Sequence, residues 1–222
     1  MSTPVTSRLT ESDLKAVAIS RLHRTRRITS QAIIANEYRL ADSGVRADLA
    51  ILDKKFIGIE IKSDLDSLRR LASQVKAYDL YFDLTILLVA EKHIANIKFD
   101  LSRVELWSVS TSGKVKTISK PTRARPKFAR ERLVDLLPAR TRRRVQAPKQ
   151  GSILSDLATE SFRKYFTDRF SITSMAFWRG STASESGKCD LSSLSIYKPL
   201  RSRAVARANQ RASVFKEWAS KS

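Results

Sequence analysis

Apolar and polar positions alternate most clearly in residues 46–62, RADLAILDKKFIGIEIK. Two short apolar runs, Ala47–Leu52 and Phe56–Lys62, are joined by the polar Asp53-Lys54-Lys55. Runs of this length, partly β-branched and bounded by turn residues, predict a β-hairpin. Side chains alternate across a strand, so Glu60 and Lys62 share one face and Ile59 and Ile61 the other. The partner strand can bring Asp48 to the face of Glu60.

Around this hairpin the periodicity predicts a mixed α/β chain. Glu11–His23 has Leu14, Val17, Ala18 and Leu22 at helical spacing, with Thr10 or Ser12 as cap. Ala32–Glu37 reads as a strand. A helix over Leu68–Tyr81 follows the cap-like Ser63–Ser67, and places Gln74 and Tyr78 on one face. The continuous run Leu84–Ala90 suits a central buried strand. Residues 91–100 are ambiguous, with a short helix as one reading, and Val104–Val109 with Val115–Ile118 read as two edge strands. Beyond them come a helix over Phe128–Leu137, a linker over Pro138–Pro148 and an amphipathic helix over Ile153–Phe170. A strand or turn at Ile172–Trp178, a loop at Thr182–Cys189 and a basic helix over Arg201–Trp218 complete the reading. The expected organisation is a core over residues 1–120, a basic helix and linker over 121–149, and a smaller helical basic region over 150–222.

Charge changes this picture. Lys and Arg number 42 against 22 Asp and Glu, a net +20 with pI near 10.6. Such an excess points to a polyanion, most simply nucleic acid, with DNA the first expectation. Pro121–Lys149 is the most basic stretch; its Arg142, Arg143 and Arg144 are either phosphate contacts or part of a solvated linker. Arg21, Arg24, Arg26 and Arg27 either complement a helix dipole or meet phosphate. One cysteine and two histidines exclude an intrachain disulfide and a Cys/His zinc cluster. No run of about 18 apolar residues occurs, and the N-terminus lacks the apolar core of a secretion signal. The expectation is a cytoplasmic protein that does not engage membranes.

Acids and a lysine inside apolar strands need a reason, because a buried charge is paired, bound to metal or neutralised. One reading is an ion pair of Lys62 with Glu60 or Asp48 on a solvated face. The other is a hard-metal site: carboxylate oxygens suit Mg²⁺ or Mn²⁺.

Asp48, then Glu60-Ile61-Lys62, then Gln74 and Tyr78, resembles the D…(D/E)-x-K…Q-x-x-x-Y pattern of the PD-(D/E)XK nuclease superfamily and its RecB-type exonucleases. The run from Asn36-Glu37 to Tyr78 is similar to a small bacterial and phage branch of that superfamily. Ala47 stands where many members have proline. The resemblance implies a restriction-endonuclease-like mixed sheet flanked by helices, and Mg²⁺- or Mn²⁺-dependent hydrolysis of phosphodiester bonds. It further implies Asp48, Glu60, the Ile61 carbonyl and Glu37 as metal ligands, and Lys62 as the group that positions water. Gln74 and Tyr78 would place the strand; taken alone they read as a surface Gln and a half-buried Tyr. Arg46, two residues before Asp48 and so on its face, either contacts phosphate or pairs with an acid. The rival expectation is a nucleic-acid-binding or regulatory module on a catalytically inactive nuclease fold.

Overall fold

The computed structural model describes residues 9–124, 130–146, 152–183 and 191–194. Six strands form one mixed sheet in the order β1-β2-β3-β4-β5-β6. They are β1 (Ile33–Arg39), β2 (Arg46–Leu52), β3 (Phe56–Lys62), β4 (Leu84–Ala90), β5 (Val104–Val109) and β6 (Val115–Ser119). β1–β2–β3 run antiparallel, β3–β4–β5 parallel, and β5–β6 antiparallel. The parallel step from β3 to β4 requires a crossover, and α2 (Leu71–Tyr81) supplies it. The α/β fold expected from the sequence is therefore the fold observed.

Helices cover both faces. α1 (Glu11–Arg24) begins at Thr10, whose hydroxyl accepts from the Asp13 N–H while Asp13 accepts from the Thr10 N–H. This reciprocal cap fixes the start of the helix. Its Leu14, Ala18, Ile19 and Leu22 pack on Leu49, Ile51, Ile59 and Ile86 of the sheet. On the opposite face α2 places Tyr78 and Tyr81 beside Ala50, Leu52 and Phe56. A 3₁₀ segment, Glu131–Leu136, and α3 (Ala139–Gln146) close that side.

α4 (Ser152–Ala183) is one helix of 32 residues. It does not end near Phe170, as its sequence suggests, and the strand or turn expected over Ile172–Trp178 is helical. Tertiary contacts account for the continuation. Ser174 Oγ accepts the Ile34 N–H at 2.8 Å, and Trp178 Nε1 donates to the Ala32 carbonyl at 2.9 Å. These bonds satisfy the free edge at β1, which would otherwise recruit another strand. Phe162, Phe166 and Phe170 join the core on the α2 side, while Phe177 and Trp178 join that on the α1 side. The region expected to stand apart as a C-terminal unit thus shares both cores through α4.

Two further expectations shift. The linker read over 138–148 contains α3, and the helix read over 128–137 is the 3₁₀ segment Glu131–Leu136. Residues 91–100 contain a 3₁₀ turn, Glu91–Asn96. The basic helix read over 201–218 lies outside the described residues, as do residues 184–189 of the expected loop.

Gly58 sits where β3 passes under Phe82, and a Cβ there would overlap the buried Phe82 ring. Gly180, on exposed α4 surface, has open space around it. Gly58→Ala should therefore lose about 1–3 kcal/mol, whereas Gly180→Ala should gain about 0.5–1 kcal/mol. Urea unfolding of the two variants checks the opposite signs; equal shifts would show that the β3–Phe82 approach has slack.

Candidate functional site

The end of β3 carries a buried acid. Glu60 is 1% exposed. Its Oε1 accepts from Lys62 Nζ at 2.6 Å, and its Oε2 accepts from the Tyr78 hydroxyl at 2.6 Å. Strand alternation puts Glu60 and Lys62 on one face; the crossover helix α2 delivers Tyr78 over it. Tyr78 Oη also accepts from the Asp48 N–H at 3.3 Å, so one phenol ties β2, β3 and α2 together.

Asp48 lies beside this pair. Its Oδ2 accepts the Ile61 N–H at 2.6 Å. Burial, followed by the nearby charge of Glu60, pushes the Asp48 carboxyl up to about 8; the Ile61 N–H and Lys15 pull the other way. A carboxylate so placed calls for a proton or a cation.

Glu37 stands opposite Asp48 across the β1–β2 ladder, between the pairs Asn36–Leu49 and Tyr38–Ala47. Its φ is +56°, a left-handed conformation costing roughly 1–3 kcal/mol outside glycine. The register is unchanged on either side, so the deviation re-aims one side chain. That carboxylate receives Lys15 Nζ at 2.5 Å on Oε1 and Arg46 Nε at 2.8 Å on Oε2.

The structure adds residues that the sequence did not single out. Glu11, in the first turn of α1, places a carboxylate oxygen within 4.8 Å of oxygens of both Glu37 and Asp48, which themselves lie within that distance of each other. Lys15, one turn on and 4% exposed, bonds Glu11 at 2.6 Å and Asn36 Oδ1 at 2.9 Å besides Glu37. Burial pulls its ammonium pKa down, and the hydrogen bonds and charges of Glu11 and Glu37 more than offset this, so the net shift is upward. In sequence, Glu11 and Lys15 are indistinguishable from a surface i,i+4 pair. Three oxygen-bearing acids in this arrangement suit a hard divalent cation.

Asp48, Glu60, Ile61, Lys62, Glu37 and Arg46 thus converge, and two roles are corrected. Tyr78 is fully buried with its hydroxyl on Glu60, so it cannot place a nucleic-acid strand; it holds Glu60. Arg142 donates to the carbonyls of Asp135 at 3.0 Å and Leu137 at 3.4 Å, which makes it a brace of the 3₁₀ segment. Arg143 and Arg144 remain exposed on α3. Gln74, one turn before Tyr78, keeps its Oε1 buried without a hydrogen-bond partner. Arg21 and Arg27 are engaged inside the fold: Arg21 bonds the Val115 carbonyl at 2.9 Å, and Arg27 grips both Glu105 oxygens at 2.8 Å.

A family model described as bacteriophage P4 protein cII matches residues 5–195, and the chain belongs to that family. Protein cII of Enterobacteria phage P4 is 34% identical over 116 residues, which are 50% of this chain and 44% of that protein. The match therefore spans less than half of the relative's length. A solved structure, the SPO1766 protein of unknown function from Silicibacter pomeroyi, aligns over 72% of this chain and 92% of its own at 18% identity and a TM-score of 0.37. The family gives the chain a phage or bacterial origin. No described helix is long and apolar enough to cross a membrane.

The raised Asp48 carboxyl has a consequence for stability. Without a cation, the folded chain holds a proton that the unfolded chain releases near 3.8. Stability should then fall as pH rises from about 4 to about 8, because the native state binds more protons there. Asp48→Asn should flatten this fall and gain on the parent at pH 9 in EDTA. A divalent cation competes with the proton, so Mn²⁺ should raise the parent's melting temperature more at pH 8 than at pH 6, and the variant's little. Parallel pH–stability curves for the two proteins would show that Asp48 carries no such proton.

Proposed function

We propose that this member of the bacteriophage P4 cII family is a Mg²⁺- or Mn²⁺-dependent nuclease acting on nucleic acid, DNA first, in the bacterial cytoplasm. The observation that carries the reading is the convergence of Asp48, Glu60 and Lys62 at the end of β3, with Glu11 and Glu37 beside Asp48. The resemblance to the PD-(D/E)XK superfamily supports it, as does the net charge of +20.

Asp48, with Glu11, Glu37 and the Ile61 carbonyl, would hold the cation, and Glu60 would join on releasing Lys62. When bound, the ion supplies Lewis acidity toward a phosphodiester and its attacking water. Lys62, once Glu60 releases it, would orient that water or offset charge developing on the phosphoryl oxygens. Tyr78 keeps Glu60 in register. Arg46, whose side chain is 65% exposed, reaches solvent beside Glu37 and offers a phosphate contact. Arg143 and Arg144 extend the basic surface.

A second reading is favoured by one observation. Lys15 already compensates Glu11 and Glu37, and Lys62 compensates Glu60. A nucleic-acid-binding module on this fold would need no cation. Incubating the protein with linear, circular, single- and double-stranded DNA, with and without Mn²⁺, separates the two: cleavage supports the nuclease, retention without cleavage the module.

Asp48→Ala should abolish cleavage while leaving DNA binding largely intact, since losing an acid removes the ion's anchor and also repulsion of phosphate. Lys62→Ala should lose at least about a hundredfold in rate, and Lys62→Arg should not recover it, because the guanidinium differs in shape and stays protonated. Wild-type turnover in either the Asp48 or the arginine variant would show the site to be misassigned.

Replacing Arg143 and Arg144 together by Gln should weaken binding to every sequence alike. The slope of log K against log [salt] should flatten by about two units on duplex DNA if both touch phosphate. An unchanged slope, measured by fluorescence anisotropy, would exclude α3 from the DNA-binding surface.

A further inference from the structure

Beyond the acidic patch, a cleft of about 420 Å³ opens at the carboxyl ends of β3, β4 and β5. Crevices outside the carboxyl ends of parallel strands are where open α/β sheets take ligands. Its apolar lining comes from Leu9 and Leu14 of the α1 region, Ala90 and Val109. Its rim carries Ser63, Asp64 and Leu65 on one side, Ser110 and Thr111 on the other, and the exposed Lys92. Leu14 precedes Lys15 and Ser63 follows Lys62, so the cleft adjoins the acidic patch along both α1 and β3.

Both walls are preformed. In the first, Asp66 Oδ2 accepts from the Ser63 N–H at 2.7 Å and its hydroxyl at 2.6 Å, and His93 Nε2 lies 2.9 Å from the Ser63 carbonyl. In the second, the Gly113 N–H donates to Ser110 O at 2.9 Å, and the Ser110 N–H to Lys114 O at 3.1 Å. Leu65 is 79% exposed, projecting from this hydrogen-bonded loop. Together with Leu9, Leu14, Ala90 and Val109 it extends the apolar lining out to the lip of the cleft.

We infer that the cleft receives one unpaired nucleoside of the strand whose phosphate lies at Asp48, so that the protein selects single strands or frayed ends over intact duplex. This rests on the nuclease reading and adds the substrate class. A base within a duplex is stacked on both faces and cannot enter between two walls; an unpaired base can. Aliphatic side chains cover its faces, the Thr111 hydroxyl and the Asp64 carboxylate meet its polar edge or sugar, and Lys92 meets the next phosphate.

The test uses the full chain and labelled oligonucleotides of one sequence, single-stranded and blunt duplex, with binding followed in Ca²⁺ and cleavage in Mn²⁺. The parent should bind and cut the single strand at least about tenfold better. Leu65→Ser, at an exposed position that does not threaten the fold, should reduce that preference by roughly tenfold, the scale of one apolar contact in a pocket, with duplex binding unchanged. Thr111→Trp, which fills the cleft, should do the same independently. If the parent cuts DNA and both variants keep its strand preference, the cleft assignment falls and the nuclease reading stands. If the parent neither binds nor cuts any of these substrates, both fall.

Discussion

A carboxylate in the middle of a sheet is tolerated only when each oxygen has a donor, and the Tyr78 hydroxyl is the donor on which the rest depends. It donates a hydrogen bond to Glu60 at 2.6 Å and accepts one from the Asp48 N–H at 3.3 Å. Leaving a buried carboxylate oxygen unpaired costs of the order of 1–3 kcal/mol or more. The position of α2 is therefore set by chemistry as well as by apolar packing. Fixed by this hinge of bonds, Glu60 holds Lys62, and Asp48 is free to turn its Oδ2 to the Ile61 N–H.

The opposite end of the sheet solves a different problem with the same economy of polar groups. β1 is an edge, and α4 covers it through Ser174 and Trp178 rather than through a further strand. Because α4 runs on into the α1-side core with Phe177 and Trp178, the edge carrying Glu37 is anchored from both faces. That anchoring is what allows Glu37 to remain at φ +56°: a strained residue persists when its surroundings over-determine it.

Much of this was legible in the pattern of residues. Alternation in residues 46–62 located the hairpin and the shared face of Glu60 and Lys62, and helical spacing placed Gln74 and Tyr78 on one side of α2. What periodicity could not convey was which of the polar residues turn inward. Tyr78 reads as half-buried because its spacing is that of an amphipathic helix; its complete burial follows from Glu60, a residue distant in sequence. Arg142 reads like Arg143 and Arg144, and only the carbonyl ends of the Glu131–Leu136 segment distinguish it. Glu11 and Lys15 became part of the site because α1 begins at the mouth of the sheet. In α4, β-branched and aromatic residues imitate a strand, and the tertiary bonds of Ser174 and Trp178 override that local preference.

The charge of the chain divides along the same line. Arg21, Arg27 and Arg142 are bonded to carbonyls or to Glu105, so part of the basic excess is structural. The acids near Asp48 are likewise matched internally by Lys15 and Lys62. A phosphate approaching this patch therefore meets compensated rather than bare carboxylates, and the repulsion that an isolated acidic cluster would present is reduced. On the nuclease reading, an entering cation would displace one of those ammonium contacts. The two lysines would then set how tightly the site could hold metal, and a phosphate able to accept a released ammonium would favour cation entry at the same step.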